Sequence, residues 1–191
     1  CSHCGFCFDD IAANQKDFDL YYQKNVKYQN PGTLGGGGIS RADMQRYARI
    51  FDLCKKYISS TSKILDIGAG QGGLLQYIRK NANCKNLYAV EPSALFDEQN
   101  DIRFYTSIDF IIRKGIKFEF IFCTQVMEHI YDLKNFIQKI YAVSSDNAFI
   151  YIEVPNAGKY IEGYKAPFYY FDREHINHFT LNSLKNLFTI N

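Results

Sequence analysis

The sequence predicts an α/β protein built on a doubly wound, mostly parallel sheet. Short apolar runs alternate with amphipathic helical patterns, and a glycine turn follows the first of those runs directly. The runs Ile121-Phe122-Cys123 and Phe149-Ile150-Tyr151-Ile152 show no polar alternation, as strands covered on both faces require. At 191 residues the chain is long enough for one well-buried domain and too short for two ordinary ones.

Residues 1–39 show no sustained period and end in four consecutive glycines, Gly35 to Gly38, each costly to fix. They read as an irregular lid and linker, leaving 40–191 as the folded domain. Ser40 and Asp43 have the spacing of a capping box, and Met44, Tyr47, Phe51, Cys54 and Ile58 form one apolar helical stripe. Strands are then expected at 63–67, 86–90, 102–105, 118–122 and 148–154, with Pro155 ending the last. The intervening helices are 72–80 and one capped by Asp132, with Leu133, Phe136, Ile137, Ile140 and Tyr141 on one face. Thr180 caps a final helix through Leu184, Leu187 and Phe188. The expectation is therefore five strands with no antiparallel pair, in a sheet lacking its last strands.

The turn is Asp66-Ile67-Gly68-Ala69-Gly70-Gln71-Gly72-Gly73. Gly68, Gly70 and Gly73 match the G-x-G-x-x-G spacing of dinucleotide sites, a weak signal alone. Asp66 argues against a pyrophosphate, whose negative charge its carboxylate would repel, and so against a nicotinamide-dependent reductase. A cationic, phosphate-free ligand suits it better, through charge-assisted hydrogen bonds. Glu91 ends the second strand about 25 residues on, the separation expected of an acid that holds ribose hydroxyls.

Composition narrows the class. A formal charge of +2 without a basic block gives nucleic acid no electrostatic support. No apolar run reaches the roughly 18 residues of a membrane span, and no signal peptide opens the chain. Cys54, Cys84 and Cys123 stand singly in apolar surroundings, so a reducing, cytoplasmic compartment fits best. The first residue is Cys1 and not Met, which reads as a trimmed terminus.

Leu65-Asp66-Ile67-Gly68-Ala69-Gly70-Gln71-Gly72 resembles the first motif of class I S-adenosylmethionine-dependent methyltransferases. Phe120 through Ile130, containing Glu128-His129, is similar to that family's fourth-strand segment. Arg173-Glu174-His175-Ile176-Asn177-His178-Phe179-Thr180 is similar to the segment after the fifth strand in ubiquinone-type and deoxysugar methyltransferases. The resemblance covers roughly 40–191. It implies a Rossmann-like methyltransferase fold, S-adenosylmethionine as cofactor, and a small polar methyl acceptor such as a sugar or sugar nucleotide. By that likeness Asp66, Gly68, Ala69 and Gly70 line the methionine portion and Glu91 holds the ribose. Pro92 and Ser93 border the adenine. Ser107 stands at the third-strand exit, where many relatives carry an acid, and Gln125 faces the methionine end. An RNA or protein methyltransferase is the enzymatic rival, and a non-catalytic cofactor-binding module of the same fold is the other.

Cys1-Ser2-His3-Cys4-Gly5 has the turn that presents two thiolates, Cys1 and Cys4, to zinc. These are two ligands of four; His3 and Cys7 are close by but crowd the same turn. With Tyr21-Tyr22 following, the segment resembles the zinc-binding part of sugar C-methyltransferases, so zinc belongs to a longer form of the protein. For catalysis, methyl transfer needs alignment and, for a hydroxyl or carbon acid, removal of a proton. Histidine is the usual base near neutral pH. The candidates are His175, His178, Glu174 and His129, with His175 ahead of His178. Tyr160, Tyr164, Tyr169 and Tyr170 are expected along the acceptor wall.

Overall fold

The protein is described from a computed structural model covering residues 1, 5–24, 38, 40–94, 98–99, 101–162 and 174–190. It begins with a short strand, β1 (Cys7–Phe8), and two helices, α1 (Gln15–Lys24) and α2 (Arg41–Cys54). The main sheet comprises β2 (Lys63–Ile67), β3 (Asn86–Val90), β4 (Glu98–Gln99), β5 (Ile102–Tyr105), β6 (Phe118–Thr124) and β7 (Ser144–Glu153). Their order is β4-β5-β3-β2-β6-β7. Five strands run parallel, and β4 lies antiparallel against β5. Helices α3 (Gly73–Ala82), α4 (Ile108–Arg113) and α5 (Leu133–Val143) make the crossovers. After β7 come β8 (Asn177–His178) and α6 (Leu181–Ile190), with β8 pairing antiparallel to β1.

Alternation along β2 sends its side chains to two cores. Ile64 packs with Tyr47 and Ile50 of α2 and with Leu74, Leu75 and Ile78 of α3. Leu65 and Ile67 pack on the opposite face with Ile108 and Ile111 of α4 and Ile140 and Val143 of α5. Both faces are thus covered, which is why the strands read as unbroken apolar runs. A third cluster joins Cys123, Met127, Ile137 and Phe179 beneath α6.

The expected caps are present. Ser40 and Asp43 exchange backbone bonds at the head of α2, Asp132 accepts from the Asn135 N–H, and Thr180 accepts from the Ser183 N–H. On α2 the buried stripe is Tyr47, Ile50 and Cys54, while Met44 is exposed, so the helix is turned slightly from the expected face.

Two expectations are corrected. The segment 1–39 is not wholly irregular: β1 and α1 form within it. Asn14 stands just before α1, its side chain accepting from the Lys16 N–H while its own N–H donates to Asp17. No α1 residue is fully buried, so its apolar signal is thin. The sheet also has an antiparallel edge, β4, whose two residues are too few to show a period. Pro31 to Gly37, the tyrosines 164, 169 and 170, and Arg173 lie outside the described residues.

Candidate active site

The strand order reverses beside β2: the chain proceeds from β2 outward to β3 and β5, then returns to place β6 on the other side. Ligands in open α/β sheets sit at such a reversal, past the carboxyl ends of the strands. The loops after β2 and β6 meet there. A Cβ built on Gly68 would lie 2.3 Å from Val126 Cγ2, so a side chain at this position has no room. Gly68 also holds φ +72°, which favours glycine. The Gly68 and Ala69 N–H groups donate to the Val90 carbonyl at 2.8 and 3.1 Å, curling the loop over the end of β3.

Glu91 braces this loop. Its Oε2 accepts the Gly70 N–H at 2.9 Å, and its Oε1 accepts the Ser93 N–H and hydroxyl at 3.0 and 2.7 Å. Both carboxylate oxygens keep further lone pairs for a ligand. Ser107 caps α4 by accepting the Asp109 N–H at 3.2 Å.

Asp66 is 2% exposed, and its Oδ1 is buried without a hydrogen-bond partner. Burial pushes its carboxyl up to about 8; Arg46 opposes this shift and Glu91 adds to it. Arg46, on α2, donates from Nε to Glu153 Oε1 at 2.9 Å, while its Nη2 is also buried without a partner. Glu153 further accepts from the Tyr151 hydroxyl at 3.0 Å and the Gln125 amide at 3.3 Å. Gln125 adopts φ +56°, uncommon for a residue with a side chain, and its N–H donates to the Glu153 carbonyl at 2.7 Å. Such a backbone is often held at functional sites. Tyr47 donates its hydroxyl to the Gly38 carbonyl at 3.0 Å, and burial keeps its phenol protonated.

The Glu-His segments meet next to this region. Glu128 and His129 lie in a 3-10 turn after β6, and the His129 and His175 rings are 4.8 Å apart. His129 Nδ1 is 2.8 Å from the Glu174 carbonyl. Helix α1 roofs the pair: the Tyr21 hydroxyl donates to Glu174 Oε1 at 2.8 Å, and Tyr22 meets His129 edge-on at 5.7 Å. His178 lies apart from them. Its side chain is enclosed, with Nδ1 3.3 Å from the Tyr160 hydroxyl and Nε2 3.6 Å from Asp9. Cys1 and Cys7 are exposed free thiols, and His3 and Cys4 fall outside the described residues.

The profile of a family described as a methyltransferase domain matches residues 40–190. The chain belongs to that family. The methyltransferase also shares its fold with solved structures. One is the plantazolicin methyltransferase BpumL in complex with a pentazolic desmethylPZN analog and SAH: 16% identity, TM-score 0.62, 92% of this chain and 76% of that one. A second is a SAM dependent methyltransferase from Archaeoglobus fulgidus: 16% identity, TM-score 0.55, 76% and 66%. A third is Haemonchus contortus phosphoethanolamine N-methyltransferase 2 in complex with S-adenosyl-L-methionine: 13% identity, TM-score 0.65, 95% and 44%. No curated protein matches the sequence. The first and third of these structures hold SAH and S-adenosyl-L-methionine, the product of the methyl-donor cofactor and the cofactor itself.

The residues present fit that cofactor. Its amino-acid end carries an ammonium and a carboxylate. Asp66 Oδ1 and Arg46 Nη2 are a buried acceptor and a buried donor of the matching charges. Arg46 and Glu153 were not among the residues expected from sequence. Arg46 was detectable as a cation one helical turn before the buried Ile50, and Glu153 as an acid closing an apolar strand.

Proposed function

We propose that this methyltransferase acts on a small polar acceptor of the sugar or sugar-nucleotide class. The observation that carries this reading is the convergence of Glu128, His129, Glu174 and His175 beneath Tyr21 and Tyr22 of α1. Such a wall offers hydrogen-bonding groups to hydroxyls and aromatic faces to a sugar ring.

In this reading Asp66 accepts from the cofactor ammonium, and Arg46 donates to its carboxylate. Gly68, Ala69 and Gly70 bring the backbone close to the ligand, with Gln125 facing the methionine end. Glu91 takes the ribose hydroxyls while still bracing the loop. Pro92, Ser93 and Ser107 border the adenine. The sulfonium supplies an activated methyl group, and the chain's own residues orient the acceptor and manage its proton. His175 acts on the acceptor, with His129 and Glu174 positioning it. His178 holds the N-terminal segment in place through Tyr160 and Asp9. Zinc, where present, would be held by Cys1 and Cys4.

Labelled S-adenosylmethionine offered with sugar nucleotides, peptides and RNA tests the acceptor class. Label in the sugar fraction is expected, and label in RNA or peptide overturns the reading. His175→Ala should keep S-adenosylhomocysteine affinity within a few-fold and lower turnover by about 10²–10⁴, the usual range for lost proton transfer.

A further inference from the structure

Glu128, His129 and His175 each offer one ligand atom, and these atoms lie within 4.8 Å of one another. Glu128 is 1% exposed, and a carboxylate so enclosed is stabilised by a nearby cation. The tautomer of His129 adds to this. Its Nδ1 faces the Glu174 carbonyl at 2.8 Å, and a carbonyl can only accept, so Nδ1 carries the hydrogen. Nε2 of the neutral ring is then an acceptor, and it lies 3.9 Å from Glu128 Oε1. Metal-binding histidines commonly hold one ring nitrogen against a backbone carbonyl in this way.

The donors also sit on braced backbone. The Ile176 N–H donates to the Glu128 carbonyl at 2.8 Å, and the Asn177 amide donates to the Met127 and Ile130 carbonyls at 3.2 and 2.6 Å. These bonds tie the segment carrying His175 to the turn carrying Glu128 and His129.

We infer that Glu128, His129 and His175 form a site for one divalent transition-metal ion, of the two-histidine, one-carboxylate type. A point central to donors no more than 4.8 Å apart lies within about 2.8 Å of each. Side-chain shifts of under about 1 Å then reach the ~2.0–2.2 Å of zinc–nitrogen and zinc–oxygen bonds. Imidazole donors favour zinc, iron, cobalt or nickel over magnesium and calcium, which take oxygen ligands. Three protein ligands leave coordination positions open, and those positions take hydroxyl or carbonyl oxygens. An oxygen-bearing acceptor fits those positions, and holding the ion is how His175 acts on it. This last step rests on the acceptor reading above; the ion site itself does not.

The test is cobalt titration of the whole chain after chelator treatment, followed by visible absorption and by metal analysis. One cobalt per chain is expected. His175→Asn and Glu128→Gln should each weaken binding by more than about tenfold, the lower end of losses seen around metal sites. The Cys1→Ser, Cys4→Ser, Cys7→Ser triple variant should bind as the parent does. No uptake at millimolar cobalt, or uptake unchanged in His175→Asn, overturns the site, as does loss confined to the cysteine variant. Calorimetry with S-adenosylhomocysteine on the same samples reports folding. Should Glu128→Gln fail that check, His175→Asn, at a less buried position, decides the matter. Cobalt binding with label found in RNA or peptide would keep the ion and remove the sugar acceptor.

Discussion

Burial pushes the Asp66 carboxyl up to about 8, so without ligand the group keeps its proton at neutral pH. An unfolded chain releases that proton near pH 4, so unliganded stability falls from about pH 4 to about pH 8 and levels off above. The cofactor ammonium favours the carboxylate, and binding below pH 8 therefore expels a proton. Affinity for S-adenosylhomocysteine should rise with pH up to about 8, read by calorimetry in buffers of different ionisation enthalpy. Asp66→Asn should flatten both profiles and weaken binding about tenfold to hundredfold, the loss of one hydrogen bond to a charged group. A pH-independent affinity in the parent would refute this account. Gly68 gives a second residue-scale prediction. Gly68→Ala meets Val126 at 2.3 Å and also forces alanine to φ +72°, costing about 1–3 kcal/mol from the backbone alone. Adding Val126→Ala should relieve the contact but not the dihedral, so thermal unfolding should recover only in part.

Elements differ in how openly the sequence states them. Strands β2, β3, β6 and β7 were legible because two covered faces demand continuous apolar residues. The capped helices were legible because Ser40, Asp132 and Thr180 stand immediately before periodic runs. Strands β1, β4 and β8 were not, since two residues cannot display alternation and their pairing is decided by distant partners. The glycine loop and Glu91 were readable from spacing, whereas Arg46, 22 residues before Gly68, needed α2 to be placed before its direction had meaning. Helix α1 was hidden for another reason: its stability comes from docking, through Phe18 on Tyr131 and Gln15 on the Asp132 N–H. Phe18→Ala with Tyr21→Phe should therefore speed amide exchange over 14–24 while β2, β3 and β6 stay protected. Acceptor KM should rise with S-adenosylhomocysteine affinity unchanged; equal loosening of the sheet would show α1 to be part of the core.

At the scale of the whole molecule, cofactor binding and folding are linked. S-adenosylhomocysteine at one hundred times its Kd should stabilise the chain by about 2.7 kcal/mol, which for a domain of this size raises Tm by about 5–10 °C. NAD should leave Tm where it was. The antiparallel pair of β1 and β8 has a consequence for the order of events during synthesis. Cys7 lies opposite His178, about 170 residues along the chain, one of the slowest kinds of contact to close. A chain made from its amino terminus finishes the glycine loop long before Asn177–His178 leave the ribosome, so its first residues wait without a strand to join. A polypeptide interrupted before that point carries the glycine loop and the contacts of α1 with Tyr131 and Asp132, but leaves β1 without its partner strand. The N-terminal strand, among the first pieces to be made, is thus among the last to settle.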